Sequence, residues 1–173
     1  MSASSVYSLW LQPSGDIAYR LQERINKMSQ QYGTPSFAPH VTLLGGLKAS
    51  ETELMSLSGT LVSSLYPFEL TLTKAGYYDQ FYQSLFLLVK KNKMLSFLRR
   101  RACRLFDLYD SDRYTPHLSL LYGDLSQNEK ERILNVMGRE FYIKFPVSSI
   151  VLMQTEGTPE QWKKIDTVVF KLQ

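Results

Sequence analysis

Histidine and cysteine are scarce in this chain: its 173 residues include two of the first and one of the second. A lone Cys103 can close no internal disulfide and has no companion thiol spaced for zinc. It reads as a buried or half-buried packing residue in a protein of a reducing compartment. No apolar run approaches the roughly 20 residues that cross a bilayer. The opening Met-Ser-Ala-Ser-Ser-Val-Tyr has neither the basic region nor the apolar stretch of a secretory leader. A cytoplasmic protein without a membrane partner is therefore expected. A glycine-rich nucleotide loop and the Ser-His-Asp order of a hydrolase triad are missing too. What remains is ordinary globular material, 44% hydrophobic and 21% charged. That length holds one good core and is short for two independent domains, so residues 1–173 are expected to form one monomeric unit. The net charge of +4 is mild support for an anionic partner.

Both histidines fall inside one phrase that the chain uses twice. From Ser36 it reads Ser-Phe-Ala-Pro-His-Val-Thr-Leu-Leu-Gly-Gly, and from Arg113 it reads Arg-Tyr-Thr-Pro-His-Leu-Ser-Leu-Leu-Tyr-Gly. Each has an aromatic residue, a small one, Pro-His, an apolar residue, a hydroxyl residue, Leu-Leu and a closing Gly. Side chains two apart on a strand leave the same face. His40 and Thr42 would thus share one face and Val41 and Leu43 the other, as would His117 and Ser119 against Leu118 and Leu120. Proline suits the entry to such a strand and glycine its end. Two unrelated buried strands would need this whole pattern to coincide, so the pair is taken as the active site.

The periodicity of the rest predicts β-α-β-α-β-β-α-β-α-β-β-β. Ser5–Gln12 alternates as a strand, and Asp16–Tyr32 repeats apolar residues every three to four positions as a helix. A helix follows from Ser50 through Leu65, opened by a Ser-Glu-Thr-Glu capping box. Strands are expected at Phe68–Tyr78 and Phe81–Val89, and a helix at Lys93–Tyr109. Another helix should run from Ser126 to about Gly138, followed by strands at 140–145, 148–156 and 164–172. Lysines and arginines crowd the helix from Lys93, which suits a nucleic-acid backbone. A solvated outer face is preferred, because no aromatic residue is interleaved there as a stacking platform. Strand, helix, motif strand, helix occurs twice. The expected fold is therefore α+β and bilobal, with a pseudo-twofold axis, two antiparallel sheets facing a central cleft, and helices outside.

Two imidazoles of ordinary pKa near 6.5 can serve as one acid and one base at neutral pH, as an in-line displacement at phosphorus requires. Two hydroxyls between them can hydrogen-bond the non-bridging oxygens. A zinc site is the competing use of paired histidines, but it needs a third ligand of His, Cys or carboxylate type, and Thr and Ser are poor substitutes. No metal or cofactor is expected.

The paired His-x-Thr/Ser segments resemble the signature of the two-histidine phosphoesterase superfamily. Over nearly its whole length the chain is similar to the cyclic phosphodiesterases of plants and some microbes. The resemblance rests on Val-Tyr-Ser-Leu-Trp, Phe-Ala-Pro-His-Val-Thr, Phe-Tyr-Gln-Ser-Leu-Phe-Leu-Leu and, most specifically, Tyr-Thr-Pro-His-Leu-Ser-Leu-Leu-Tyr-Gly-Asp-Leu. It implies metal-independent hydrolysis of small cyclic phosphates: ADP-ribose 1″,2″-cyclic phosphate to ADP-ribose 1″-phosphate, and nucleoside 2′,3′-cyclic phosphates to 2′-phosphates. His40 and His117 carry over as catalytic, with a lean toward His117 as base and His40 as acid. Thr42 and Ser119 carry over as holding the phosphate and Tyr122 as a substrate contact. Trp10 and Tyr82 carry over as aromatic walls, with core packing as their competing role. Plant members often have further cysteines, so disulfide control does not transfer to a chain with Cys103 alone. Two alternatives remain: an RNA-end 2′,5′ ligase or oligonucleotide phosphodiesterase of the same superfamily, and a non-catalytic nucleotide- or RNA-binding protein.

Overall fold

The structure, a computed structural model, describes residues 5–171. Its elements are β1 (Tyr7–Leu11), α1 (Gly15–Tyr32), β2 (Val41–Leu47), α2 (Glu51–Val62), β3 (Phe68–Gly76), β4 (Leu85–Val89), α3 (Lys93–Leu105), β5 (His117–Leu121), α4 (Gln127–Met137), β6 (Glu140–Val147), β7 (Ser149–Gln154) and β8 (Lys163–Val169). The order is the expected one, and the boundary differences have local causes. Phe81–Gln83 curls into a 3₁₀ turn, so the run expected from Phe81 becomes a strand only at Leu85. α3 stops short of Tyr109 because Asp107 takes a left-handed φ of 51°. α2 ends before Leu65, whose N–H turns back to the Val62 carbonyl. The last strand ends at Val169, and Leu172 lies outside the described residues.

Helix starts follow capping chemistry. The Ser126 hydroxyl and the Glu129 carboxylate satisfy each other's backbone N–H groups at the head of α4. Ser50 accepts from the Glu53 N–H at the head of α2.

The strands form one curled antiparallel sheet in the order β6-β3-β4-β5-β2-β1-β7-β8. The two sheets expected are present as its halves, β6-β3-β4-β5 and β2-β1-β7-β8. They are continuous, joined where Val41 of β2 pairs with Leu118 of β5. Val41, Leu43, Leu118 and Leu120 enter one buried cluster with Leu21 and Ile25 of α1, Leu54 and Leu61 of α2, Leu95 and Leu98 of α3, and Leu134 of α4. The helices thus cover one face of the sheet, with α1 packed on β5 and α3 on β2 across the join. Burying one such leucine stabilises the fold by about 2 kcal/mol. The period of two then commits the alternate residues of β2 and β5 to the opposite face.

Candidate active site

That opposite face carries both histidines and both motif hydroxyls. Counting outward from Val41 and Leu118, the antiparallel ladder sets His40 opposite Ser119 and Thr42 opposite His117. All four line a single cleft of about 510 Å³, together with Trp10, Tyr82 and Tyr122. Every residue expected at the site is therefore brought to one place.

The imidazoles are held identically. His40 Nδ1 lies 2.7 Å from the Ala38 carbonyl, and His117 Nδ1 lies 2.7 Å from the Thr115 carbonyl. A carbonyl oxygen can only accept, so Nδ1 carries the hydrogen in both rings and Nε2 is the atom left to take or give a proton. Their surroundings differ. His40 is 6% exposed and lies flat on the Trp10 indole, centroids 3.5 Å apart and planes 5° from parallel. His117 is less enclosed, with Phe86 tilted 52° beside it at 5.0 Å. The strand ladders make these neighbours equivalent, because Trp10 pairs with Thr42 as Phe86 pairs with Ser119. Burial lowers both imidazoles below the ordinary histidine value. His40 falls to about 4, with repulsion from His117 acting in the same sense and the Ala38 hydrogen bond against it. His117 is lowered too, opposed by its bond to Thr115.

The hydroxyls also differ. Ser119 donates to the Tyr82 carbonyl at 3.0 Å, which fixes the turn bearing Tyr82. Thr42 has no such tie among the described residues, and its hydroxyl is open to a ligand. Tyr122 is buried, stacked on Phe37 at 3.6 Å, and burial pushes its hydroxyl up while Ser119 beside it acts in the other direction. Tyr82 stands half-exposed at the rim.

The two motifs also brace each other. Phe37 of the first packs on Tyr122 of the second, and the Tyr114 hydroxyl of the second donates to the Thr42 carbonyl of the first at 2.9 Å. Arg99 corrects the expectation of an outward basic face on α3: its side chain is 15% exposed. The guanidinium lies 4.3 Å from the Tyr114 ring, bonds Asp110 at 3.3 Å, and donates to the Leu43 carbonyl. Sequence reasoning missed Trp162, whose ring sits 5.7 Å from Trp10 and 5.9 Å from Tyr82 and whose indole N–H is buried without a partner. It also missed the Ser8–Thr155 hydroxyl pair, 3.0 Å apart in the cleft wall. Ser8 shares the strand phase of Trp10 on β1, which was a signal for Ser8; nothing local marks Trp162. Among the described residues no group of three or more His, Cys, Asp or Glu can hold a metal ion.

The family model described as the 2′-5′ RNA ligase superfamily matches residues 17–159. The chain belongs to that superfamily. The two-histidine phosphoesterase resemblance read from the motifs is therefore borne out. Among the relatives of this superfamily member is a cyclic phosphodiesterase of Arabidopsis thaliana, 23% identical over 167 residues and covering 92% of each chain. Solved structures with this fold include a Thermus thermophilus protein, 16% identical at a TM-score of 0.69, with 95% of this chain and 97% of that one covered. Escherichia coli LigT complexed with 3′-AMP superposes at 0.65, 13% identical, over 98% of this chain and 100% of its own.

Proposed function

We propose that the protein is a hydrolase that opens cyclic phosphates, with His40 and His117 as its acid–base pair. The observation that carries this is the convergence of two Nδ1-anchored imidazoles and two hydroxyls, with no third metal ligand, in one cleft. The name of the Arabidopsis relative and the nucleotides bound by LigT, 3′-AMP, NADP+ and ATP, support a small nucleotide-like ligand. The substrates proposed are nucleoside 2′,3′-cyclic phosphates, giving 2′-phosphates, and ADP-ribose 1″,2″-cyclic phosphate, giving ADP-ribose 1″-phosphate. We place the reaction in the metabolism of by-products of RNA and tRNA splicing. No described helix is long and apolar enough to cross a membrane, and we place the reaction in the cytosol.

In the step, a water oxygen bonds to phosphorus while the bond from phosphorus to the departing sugar oxygen breaks. One Nε2 takes the water's proton and the other gives a proton to the sugar oxygen, so charge and atoms balance. Each such transfer is worth on the order of 10²- to 10⁴-fold. Thr42 and Ser119 hold the non-bridging oxygens, Ser119 by turning its proton away from the Tyr82 carbonyl. Tyr82, Tyr122 and Trp162 wall the sugar or base. We assign His117 as base and His40 as acid. Burial alone makes His40 the weaker proton carrier of the two in the free protein. The phosphate's charge opposes that in the complex, and the indole face under His40 stabilises an imidazolium by about 1–2 kcal/mol.

The test is turnover of a panel of cyclic phosphates with the product isomer identified by phosphorus NMR. Adenosine 2′-phosphate from 2′,3′-cyclic AMP is expected; mainly the 3′-phosphate would reverse the seating, and no turnover of any member would remove the reading.

A further inference from the structure

The motif repeat sets residue against residue: His40 with His117, Thr42 with Ser119, Leu44 with Leu121, and then Gly45 with Tyr122. The ladders keep that correspondence, since Leu44 pairs with Leu9 of β1 as Leu121 pairs with Leu85 of β4. One residue earlier on each flanking strand stands a serine, Ser8 or Ser84. Here the two halves diverge. In the second half Tyr122 gives the cleft a ring, and Ser84 is wholly buried. In the first half Gly45 gives it no side chain, and Ser8 lines the cleft instead.

Nothing in the backbone asks for glycine at this position. Gly45 has no left-handed φ, and a Cβ there would stand 3.7 Å from Ser8 Oγ and 3.8 Å from Thr42 Cγ2, which is ordinary contact. A strand glycine that no turn requires often marks a place where another group comes close. The polarity of the space beside it follows from the two hydroxyls. Thr155 Oγ1 donates to the Val6 carbonyl at 3.4 Å, so Ser8 is the donor in the 3.0 Å bond between Ser8 and Thr155. Both protons are thereby committed, and Ser8 Oγ keeps lone pairs for the cleft. A phosphate oxygen finds no proton there, whereas a ligand O–H or N–H finds an acceptor. Because Ser8 is only 7% exposed, a partner brought by the ligand counts for more than it would at the surface. Tyr82, Tyr122 and Trp162, with ring centroids 5.2 to 6.0 Å apart, already offer a base its stacking surface. That leaves the sugar as the source of the hydrogen.

We propose that Gly45, Ser8 and Thr155 form a subsite for a free sugar hydroxyl of the substrate. In a nucleoside 2′,3′-cyclic phosphate this is the 5′-hydroxyl, because the other two are held in the cyclic ester. The proposal rests on the cyclic-phosphate reading of the cleft and names what else that cleft selects.

The experiment measures kcat/KM for 2′,3′-cyclic AMP and for its 5′-deoxy analogue, which has the same base and the same cyclic phosphate. The quantity read is the ratio of the two values within each protein. The variants are Ser8→Ala, which removes the acceptor, and Gly45→Val, which fills the space; an unchanged melting temperature shows each fold intact. The wild-type protein is expected to prefer the hydroxylated substrate by roughly threefold to tenfold, the worth of one hydrogen bond to a shielded acceptor. Each variant should bring the ratio close to one. A wild-type ratio near one, or a preference that survives either folded variant, overturns the proposal. Ser8→Ala slowing both substrates alike would assign the acceptor to the base and overturn it too. If the wild-type protein opens neither compound, the cyclic-phosphate reading fails by itself. Calorimetric titration with the two unreacted compounds then decides the subsite: it stands only if the hydroxylated one binds more tightly and Ser8→Ala removes the difference.

Discussion

The two halves of the molecule offer the same motif to different neighbours. Around His40 the flanking strand supplies an indole in flat contact, and the ring is almost wholly enclosed. Around His117 the equivalent position supplies a tilted phenyl ring, and the imidazole is more open. The hydroxyls differ in the reverse sense, Ser119 being tied to the Tyr82 carbonyl and Thr42 free. A reaction that uses one imidazole as acid and the other as base is given a fixed direction when the two differ. A duplicated motif gives two alike, and the distinction comes from the strands beside the motifs.

Deleting either imidazole should have the largest effect. His40→Ala and His117→Ala should each reduce kcat by about 10³-fold or more, because the pair acts as a unit. Near-normal turnover in either folded variant would remove the site. The hydroxyls should rank next and unequally. Thr42→Ala and Ser119→Ala are expected to cost roughly 10- to 10³-fold, with Thr42 the costlier because its proton is free for the phosphate. Equal losses in kcat would mean that the Tyr82 tie is released at no cost.

Making the halves more alike sharpens the comparison further. Trp10→Phe gives His40 the kind of neighbour that His117 has, and should lower kcat by about tenfold through loss of the stacked face. An unchanged kcat would leave the indole a packing role only.

The pH profile tests the lowered pKa values. Both rings lose their protons below the ordinary 6.5, His40 at about 4, so the singly protonated free protein becomes scarce as pH rises through the neutral range. The ratio kcat/KM should therefore fall as pH rises through the neutral range. Turnover at saturation should hold to higher pH, because the bound phosphate restores a proton. A kcat/KM that is flat between pH 6 and 8 contradicts the burial effect. Chelation should change least: activity is expected to survive exhaustive EDTA treatment, and restoration by zinc or manganese after a loss would break the acid–base scheme.

The element order and the four central residues were legible in sequence because each depends on short-range rules. A period of two fixed the faces of His40, Thr42, His117 and Ser119, and proline and glycine bounded their strands. The remainder depended on contacts between distant segments. Trp162 reaches the cleft from a 3₁₀ turn before β8, far in sequence from either motif, and no local pattern marks it. Arg99 looked like one cation among many on a basic helix. Only the packing of α3 on β2 shows that it turns inward to the Leu43 carbonyl and the Tyr114 ring.

The sheet join at Val41 and Leu118 has a bearing on synthesis. The half-sheet holding His117 comes from one uninterrupted stretch, residues 68–147, while the half-sheet holding His40 is made of two pieces, with β1 paired to β7. A chain leaving the ribosome can close the first of these sheets while the second still waits for Ser149–Gln154 to emerge. Loop closure over such a separation is slow. Trp10 and His40 therefore reach their final places among the last residues to do so, and catalytic competence arrives with the C-terminal hairpin.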